Sequence, residues 1–500
     1  MKNETGTVYG VFRANAGESP DAPAVIGAGR TLSHAQLLEE IDRLAAGLVT
    51  LGLAPGERLA ILALNSIEFL SLFGACAKTG VIACPINWRL APEEITASLR
   101  LSSPRALAVG PTHLSIFDAL APKEIPLRIV LGPDAPQGSI PVDDLRKTPS
   151  GRTPDRAAED PAAILLTAAV AGLPRGAIIT NANLVAAGDR LVGSLGLTPK
   201  DCHLAALPLF HITGLGLSLA TLQAGGSNAI LEAFDPAQAS RTIDEHGVTI
   251  MADFPPVLQL MLDAKDATGA SWASLRLVVG LDAPDTIARL HEVTQARFWT
   301  GFGQAETTGV VTLGAVEERP GSAGRALPGL KIRCVDEDDQ DVPVGQPGEI
   351  VVEGPVVFAG YWGDPDASDF AARGGWHHTG DLGRFDPEGY LFYAGRKPEK
   401  ELIKTGGENV YPEEVERVIR ELPEVAAVCV IGIPDRTYGE AVKAVVELAA
   451  GRSLTAQQVQ EAVAARIASF KKPRQVEFVE ALPRTPDGAI DRGAVKAASA

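Results

Sequence analysis

The sequence is poor in cysteine, in positive charge and in long apolar runs, and each shortage excludes a class of protein. Its five cysteines, Cys76, Cys84, Cys202, Cys334 and Cys429, are odd in number, widely spaced and without a Cys-x-x-Cys pair. That argues against a disulfide framework and against a zinc site, and it suits a reducing cytosol. No stretch offers 18 uncharged apolar residues for a membrane span, and the first residues lead into no apolar signal segment. A soluble, cytoplasmic protein is therefore expected. Lys and Arg number 45 against 62 Asp and Glu, a formal net charge of -17. Such a field repels polyanions, which disfavours nucleic acid as a partner; any phosphate must be held locally, by backbone N–H groups, Mg2+ or a few placed cations. Internal repeats and low-complexity tracts are missing too, which excludes solenoids and disordered linkers.

What is present reads as globular. Hydrophobic residues make up 46% and charged residues 21% of 500 residues, enough to bury a core and too long for a single one. From Arg30 to Val109, helical periods at Ser33 to Leu51 and Glu68 to Gly80 alternate with apolar runs such as Leu59 to Ala63 and Ala106 to Val109. That alternation predicts α/β structure with largely parallel strands. Residues Ala121 to Asp160, rich in Pro, Gly and charge, predict a connection between lobes. A second α/β stretch runs from Ala162 to Leu313, with strands expected at Ala229 to Leu231, Val248 to Met251 and Leu275 to Val279. Beyond Gly321, short runs at Lys331 to Val335, Glu349 to Glu353 and Gly389 to Tyr393 suggest a small sheet or barrel. From Lys400 an α+β pattern of about a hundred residues begins, of ordinary domain size. It reads as helix Pro412 to Leu422, strands Ala426 to Ile433 and Ala441 to Leu448, helix Thr455 to Ile467 and strand Gln475 to Phe478.

Single motifs here are weak. The loop Leu173-Pro-Arg-Gly176 follows the apolar run Ala163 to Thr167 like any strand-to-helix turn and lacks P-loop spacing. Gly301-Phe-Gly303 lacks the third glycine and later acid of a dinucleotide fingerprint. Their order carries more. Gly80 to Asn87, Leu90 to Glu94, Thr167 to Gly176, Leu207-Pro-Leu-Phe-His211, Gly301 to Thr307, Gly360-Tyr-Trp, Trp376 to Asp381, Gly395-Arg396, Gly406 to Pro412 and Leu482 to Thr485 follow one another along nearly the whole chain. This series resembles the adenylate-forming superfamily, which includes acyl-CoA synthetases, firefly luciferase and peptide-synthetase adenylation domains.

The resemblance implies a large N-terminal body, residues 1–398, of two α/β subdomains and a small β-barrel-like subdomain, and a smaller mobile α+β domain at 399–500. It implies an AMP-forming acid:CoA ligase using ATP, Mg2+ and coenzyme A on a small, medium-chain or aromatic carboxylic acid. A homodimer stays open. The chemistry needs a site that neutralises a polyphosphate, holds Mg2+ and aligns a carboxylate with the α-phosphate. By resemblance Glu306 is the Mg2+ ligand, as oxygen donors suit that hard cation. Asp381 accepts hydrogen bonds from the ribose hydroxyls with Arg396 closing on the same sugar, since a carboxylate is the natural bidentate acceptor. Thr167, Gly172 and Arg175 belong to the phosphate loop, and Asp282 to the adenine-side motif. Gly301, Phe302, Gly303, Gln304 and Ala305 lead to Glu306, with Phe302 stacking on adenine. His211 lines the acyl pocket. Gly406 and Gly407 leave bare backbone for the pantetheine arm, and Lys400 matches the hinge of the swinging domain, with two residues more than usual between Arg396 and that position.

Several positions depart from the family pattern. Hydroxyl residues of the phosphate loop are replaced by Ala168, Val170 and Ala171, each a hydrogen bond of about 0.5 to 1.5 kcal/mol forgone. Ala305 stands for a threonine, Leu281-Asp-Ala-Pro284 for Gly-Gly-Ala-Pro, and Ala489 for the lysine that bridges carboxylate and α-phosphate. An engineered substitution and a subfamily trait both account for Ala489; Lys471, Lys472 and Lys496 are nearby candidates to substitute for that lysine, though each reads first as a surface charge. The rival reading is a degenerate relative that binds a CoA ester or nucleotide with little adenylation. An oxygenase or carrier-loading domain stands further off.

Overall fold

The structure is a computed structural model that describes residues 6–120, 124–151, 155–167, 174–397 and 401–499. Two large sheets form the body. One has nine strands, with Cys202–Ala205, Ile250–Asp253, Leu277–Gly280 and Arg297–Thr300 parallel at its centre. The other has seven, in which Arg58–Leu62 lies between Ile82–Pro85 and Ala106–Val109. Helices His34–Thr50, Ile67–Thr79, Asn181–Leu195 and Ile212–Gln223 contribute to an apolar core that takes residues from both sheets, among them Val25, Ile61, Ala163 and Ala205.

Local chemistry marks the ends of these helices. Ser33 caps the first helix in a reciprocal box with Gln36, and Gly80, at φ 77°, closes the second in a conformation that side chains resist. The expected strands fall within a few residues of their positions, Ala106–Val109 and Lys331–Val335 at the expected bounds.

Two expectations need correction. Residues 121–160 are more than a connection: Leu127–Val130 and Ile140–Pro141 extend the seven-stranded sheet, and helix Val142–Arg146 packs on the helix His34–Thr50. These strands are too short for periodicity to betray them. The run Pro161–Thr167 leads not into a helix but into a second strand, Arg175–Thr180, which pairs with it antiparallel.

Lys331–Val335, Gly348–Glu353, His377–Phe385 and Leu391–Arg396 form an antiparallel sheet of four strands in sequence order. Among the described residues the outer strands do not pair with each other, and Leu391 bonds back to Ala323 and Gly324 instead, so of the expected small sheet or barrel a four-stranded sheet is what forms. Residues from Ile403 build a separate five-stranded sheet with helices Pro412–Arg420 and Ala456–Ala464 and cores of its own. All five cysteines are buried and free, and among the described residues no helix is long and apolar enough to cross a membrane.

Candidate active site

A cavity of about 1280 Å3 opens where the C-terminal ends of the central parallel strands meet the four-stranded sheet and the Ile403–Val410 hairpin. Parallel sheets expose their loops at that edge, and this is where such folds hold ligands.

The strand Arg297–Thr300 runs out into Gly301-Phe302-Gly303-Gln304. A Cβ at Gly301 would lie 2.2 Å from the Thr312 carbonyl, and one at Gly303 2.1 Å from the Gly309 carbonyl, so only glycine permits the tight ribbon Gly303–Gln304 against Gly309–Val310. A short turn, Ala305–Thr307, then presents Glu306, whose Oε1 accepts a hydrogen bond from the Tyr361 hydroxyl at 3.0 Å. Burial first, then the Glu306 charge, raise the Tyr361 phenol and keep it a donor.

Asp381 sits opposite Arg396 in the strand pair His377–Phe385 and Leu391–Arg396. Its carboxylate accepts from Gln304 Nε2 and, at 3.2 Å, from the Tyr393 hydroxyl, with Arg396 Nε 3.7 Å away. The Phe302 and Tyr393 rings lie nearly parallel, at 28° and 6.4 Å between centroids. One flat aromatic wall, one buried carboxylate and one guanidinium therefore share a corner of the cavity.

The Ile403–Thr405 and Glu408–Val410 hairpin brings in the other side. Gly406 and Gly407, at φ 57° and 80°, make its two-residue turn, the mirror-image geometry that favours glycine. A Cβ on Gly407 would stand 3.4 Å from Phe254 and one on Gly406 3.1 Å from Tyr438. The tip is thus both a turn and a close approach. Behind it, Glu408 is buried among groups of the body: Arg89 Nη1 at 2.8 Å, Asn87 Nδ2 at 3.1 Å and His211 Nε2 at 3.5 Å. Burial raises the Glu408 carboxyl, but His211 and then Arg89 outweigh it and hold it down at about 2. A second crossing lies nearby, where Glu94 of the body accepts from Lys471 Nζ at 2.7 Å and from the Ala468 N–H at 2.8 Å.

Of the expected site residues, Thr167, His211, Asp282, Gly301, Phe302, Gly303, Gln304, Ala305, Glu306, Asp381, Arg396, Gly406 and Gly407 all line this one cavity. Arg175 does not: it pairs with Asp364 at 3.2 Å and lies over the Tyr361 ring. Gly172 and Lys400 fall outside the described residues, as do Ala168, Val170 and Ala171. Ala489 is exposed on the 484–490 turn and does not line the cavity. Lys471 is no surface charge, being buried between Glu94 and Glu414, and Lys496 is paired with Glu401 at 2.5 Å. The sequence reading assigned no role to Arg89, Tyr361, Tyr393 or Glu408. The available signals were that Glu408 and Tyr361 lie inside motifs already singled out, Gly406 to Pro412 and Gly360-Tyr-Trp.

Residues 12–362 match the family model described as AMP-binding enzyme, and residues 414–489 match AMP-binding enzyme C-terminal domain. The chain is 34% identical to an indoleacetate--CoA ligase of Aromatoleum aromaticum over 96% of each chain. It is also 34% identical to a feruloyl-CoA synthase of an Amycolatopsis species over 99% of each. Among solved structures, the amide bond synthetase McbA of Marinactinospora thermotolerans superposes with a TM-score of 0.87 at 28% identity, covering 97% of this chain and 99% of that one.

Proposed function

Because the chain belongs to the AMP-binding enzyme family, we propose that it is an AMP-forming acid:CoA ligase, which converts a carboxylic acid and ATP into an acyl-adenylate and pyrophosphate and then transfers the acyl group to the thiol of coenzyme A. The observation that carries this reading is the corner where Asp381, Arg396 and Phe302 meet in the same cavity as Glu306 and the Gly406-Gly407 tip. A ribose diol fits the Asp381 carboxylate at the cavity wall, a base fits the face of Phe302, and a narrow thiol-bearing arm fits the side-chain-free backbone at 406–407.

Among the described residues no cluster of three or more His, Cys, Asp or Glu could hold a metal alone. A single cavity-facing carboxylate, Glu306, is nevertheless what Mg2+ requires when substrate phosphates and waters supply its other ligands. Bound there, the ion would offset phosphate charge. The Tyr361 hydroxyl fixes the orientation of Glu306, the Asp381–Gln304–Tyr393 cluster fixes the sugar, and His211, at the start of helix Ile212–Gln223, stands where the acid's carboxylate enters. Apolar side chains including Leu184, Leu191, Leu207, Leu217 and Val310 line the cavity and suit an aromatic or medium-chain acid. The relatives named for indoleacetate and ferulate support the aromatic choice.

The C-terminal domain begins near residue 399, and the pose seen here serves thiol transfer: the glycine tip enters the cavity while the turn bearing Ala489 faces away from it. Among the described residues of the site nothing favours the rival reading of a nucleotide binder without adenylation. Pyrophosphate exchange across a panel of aromatic and C4 to C12 acids tests the proposal. Acid-dependent exchange followed by CoA consumption is expected, and exchange at background with every acid would refute it.

A further inference from the structure

The Asp381 carboxylate owes its place to a break in the four-stranded sheet. Strand Gly348–Glu353 pairs with His377–Phe385 so that Glu349 lies opposite Leu382 and Val351 opposite His378. Between those pairs the single residue Ile350 faces Thr379, Gly380 and Asp381, and the second strand bulges outward there. Bulges of this kind re-aim side chains and recur beside active sites. Gly380 takes φ 69°, in the left-handed region that glycine favours, and the Thr379 hydroxyl donates to the Ile350 carbonyl at 2.6 Å. The Gly380 N–H, turned out of the ladder, needs another acceptor.

Glu349 supplies that acceptor. Its side chain is buried, does not line the cavity, and accepts from the Gly380 N–H through Oε1 at 3.0 Å. Its Oε2 lies 3.1 Å from Arg373 Nη2, 3.2 Å from His378 Nδ1 and 3.3 Å from Lys397 Nζ. A carboxylate only accepts, so His378 donates from Nδ1. Burial raises the Glu349 carboxyl, but the bonds from His378 and Gly380 and the Lys397 charge outweigh it and hold it below the ordinary glutamate range. It is thus a charged acceptor, held by the two strands beyond it and by the 373–375 turn.

Two of those donors flank the residues that face the ribose. Gly380 immediately precedes Asp381, and Lys397 immediately follows Arg396. The Lys397 N–H also donates to the Gly380 carbonyl at 3.0 Å, and Asp381 stands opposite Arg396 across the same pair of strands. We infer that Glu349, which does not reach the cavity, is a positioning residue for the nucleotide's ribose: it holds the bulge in the shape that turns the Asp381 carboxylate to the diol, and it ties down the Arg396 end of the neighbouring strand. The inference rests on the ribose reading of Asp381 given above. Without an acceptor at 349 the Gly380 N–H loses its partner, the bulge relaxes to recover one, and Asp381 moves with it.

Calorimetric binding of AMP and 2′,3′-dideoxy-AMP to the full chain tests it without turnover. The intact protein should prefer AMP by about ten- to a hundredfold, the worth of one charge-assisted hydrogen bond to the diol. Glu349→Leu, which fills the space and accepts nothing, should bring that preference below about threefold while affinity for the dideoxy nucleotide stays within about twofold. Glu349→Gln, which can still accept from the Gly380 N–H, should keep a preference above about fivefold. In an Asp381→Ala background Glu349→Leu should change AMP affinity no further, because a residue acting through Asp381 then has nothing to position. Should Glu349→Leu not fold, as judged by its melting curve, Lys397→Met, which frees the Arg396 end alone, should still lower the preference by about threefold. An unchanged ratio of the two affinities, equal loss of both nucleotides, or additive effects with Asp381→Ala overturns the inference. No preference in the intact protein would overturn the ribose assignment and this inference with it, whereas absence of pyrophosphate exchange would refute the ligase and leave the result at Glu349 standing.

Discussion

Gln304 shows how one residue organises this site: its amide nitrogen donates both to the Asp381 carboxylate and, at 2.9 Å, to the Thr379 carbonyl, tying the loop after the central sheet to the four-stranded sheet. Asp381 thereby keeps its position at the cavity wall. Among the described residues the Glu306 carboxylate is held by the Tyr361 phenol alone. We predict that Glu306→Gln and Asp381→Asn, which keep shape and remove charge, lower adenylation about a hundredfold to a thousandfold, the usual size of one lost transition-state contact. Melting temperatures should move little, since neither side chain belongs to an apolar core. Near-normal turnover in either variant, in stopped-time exchange assays, would remove that residue from the site. At this scale motif residues such as Asp381 and Glu306 were legible because each lies within a quoted sequence run. Glu408 was not, because its meaning lies in Arg89 and the two are 319 positions apart.

The Ile403–Val410 hairpin is the element on which thiol transfer turns. Its two-residue turn demands positive φ at both positions, and the space around the tip is already filled by Phe254 and Tyr438. Gly407→Leu would be strained by its φ of 80° and would push against Phe254. We predict a selective loss of thioester formation, while pyrophosphate release on adenylation stays within about threefold because the Phe302 and Asp381 corner is untouched. Single-turnover measurement of pyrophosphate release and CoA consumption separates the steps, and equal losses in both would refute a role confined to the second. Elements themselves were legible where caps and period agree, as in His34–Thr50 with its Ser33–Gln36 box. The hairpin Pro161–Thr167 and Arg175–Thr180 was missed because a Pro-Arg-Gly turn after an apolar run does not say whether helix or strand follows. Whether the runs beyond Gly321 form a sheet or a barrel was left open because short β runs announce strands and not which strand closes on which.

For the whole molecule, the docking of the C-terminal sheet on the body is coupled to the protonation of Glu408. Docked, its carboxyl is buried; burial raises it, but His211 and Arg89, both from the body, hold it down at about 2. Undocked, it would face water and titrate near the ordinary glutamate value of about 4.3. A group whose pKa is lower in the docked state stabilises docking fully above its undocked value and loses that contribution as pH falls toward the docked one. The relevant window is therefore about pH 4.3 down to 2, and the contribution above it is at most about 3 kcal/mol, from roughly 1.4 kcal/mol for each pKa unit. We predict that energy transfer between a dye on the body and one on the five-stranded sheet falls as the pH is lowered from 6 to 3.5. Glu408→Gln should flatten that response and weaken docking at neutral pH, with thioester formation lost ahead of adenylation. The Glu94–Lys471 contact is present in both proteins and cancels in the comparison. Identical pH profiles for the intact protein and Glu408→Gln would show that another carboxylate governs docking and that the Glu408 cluster is packing alone.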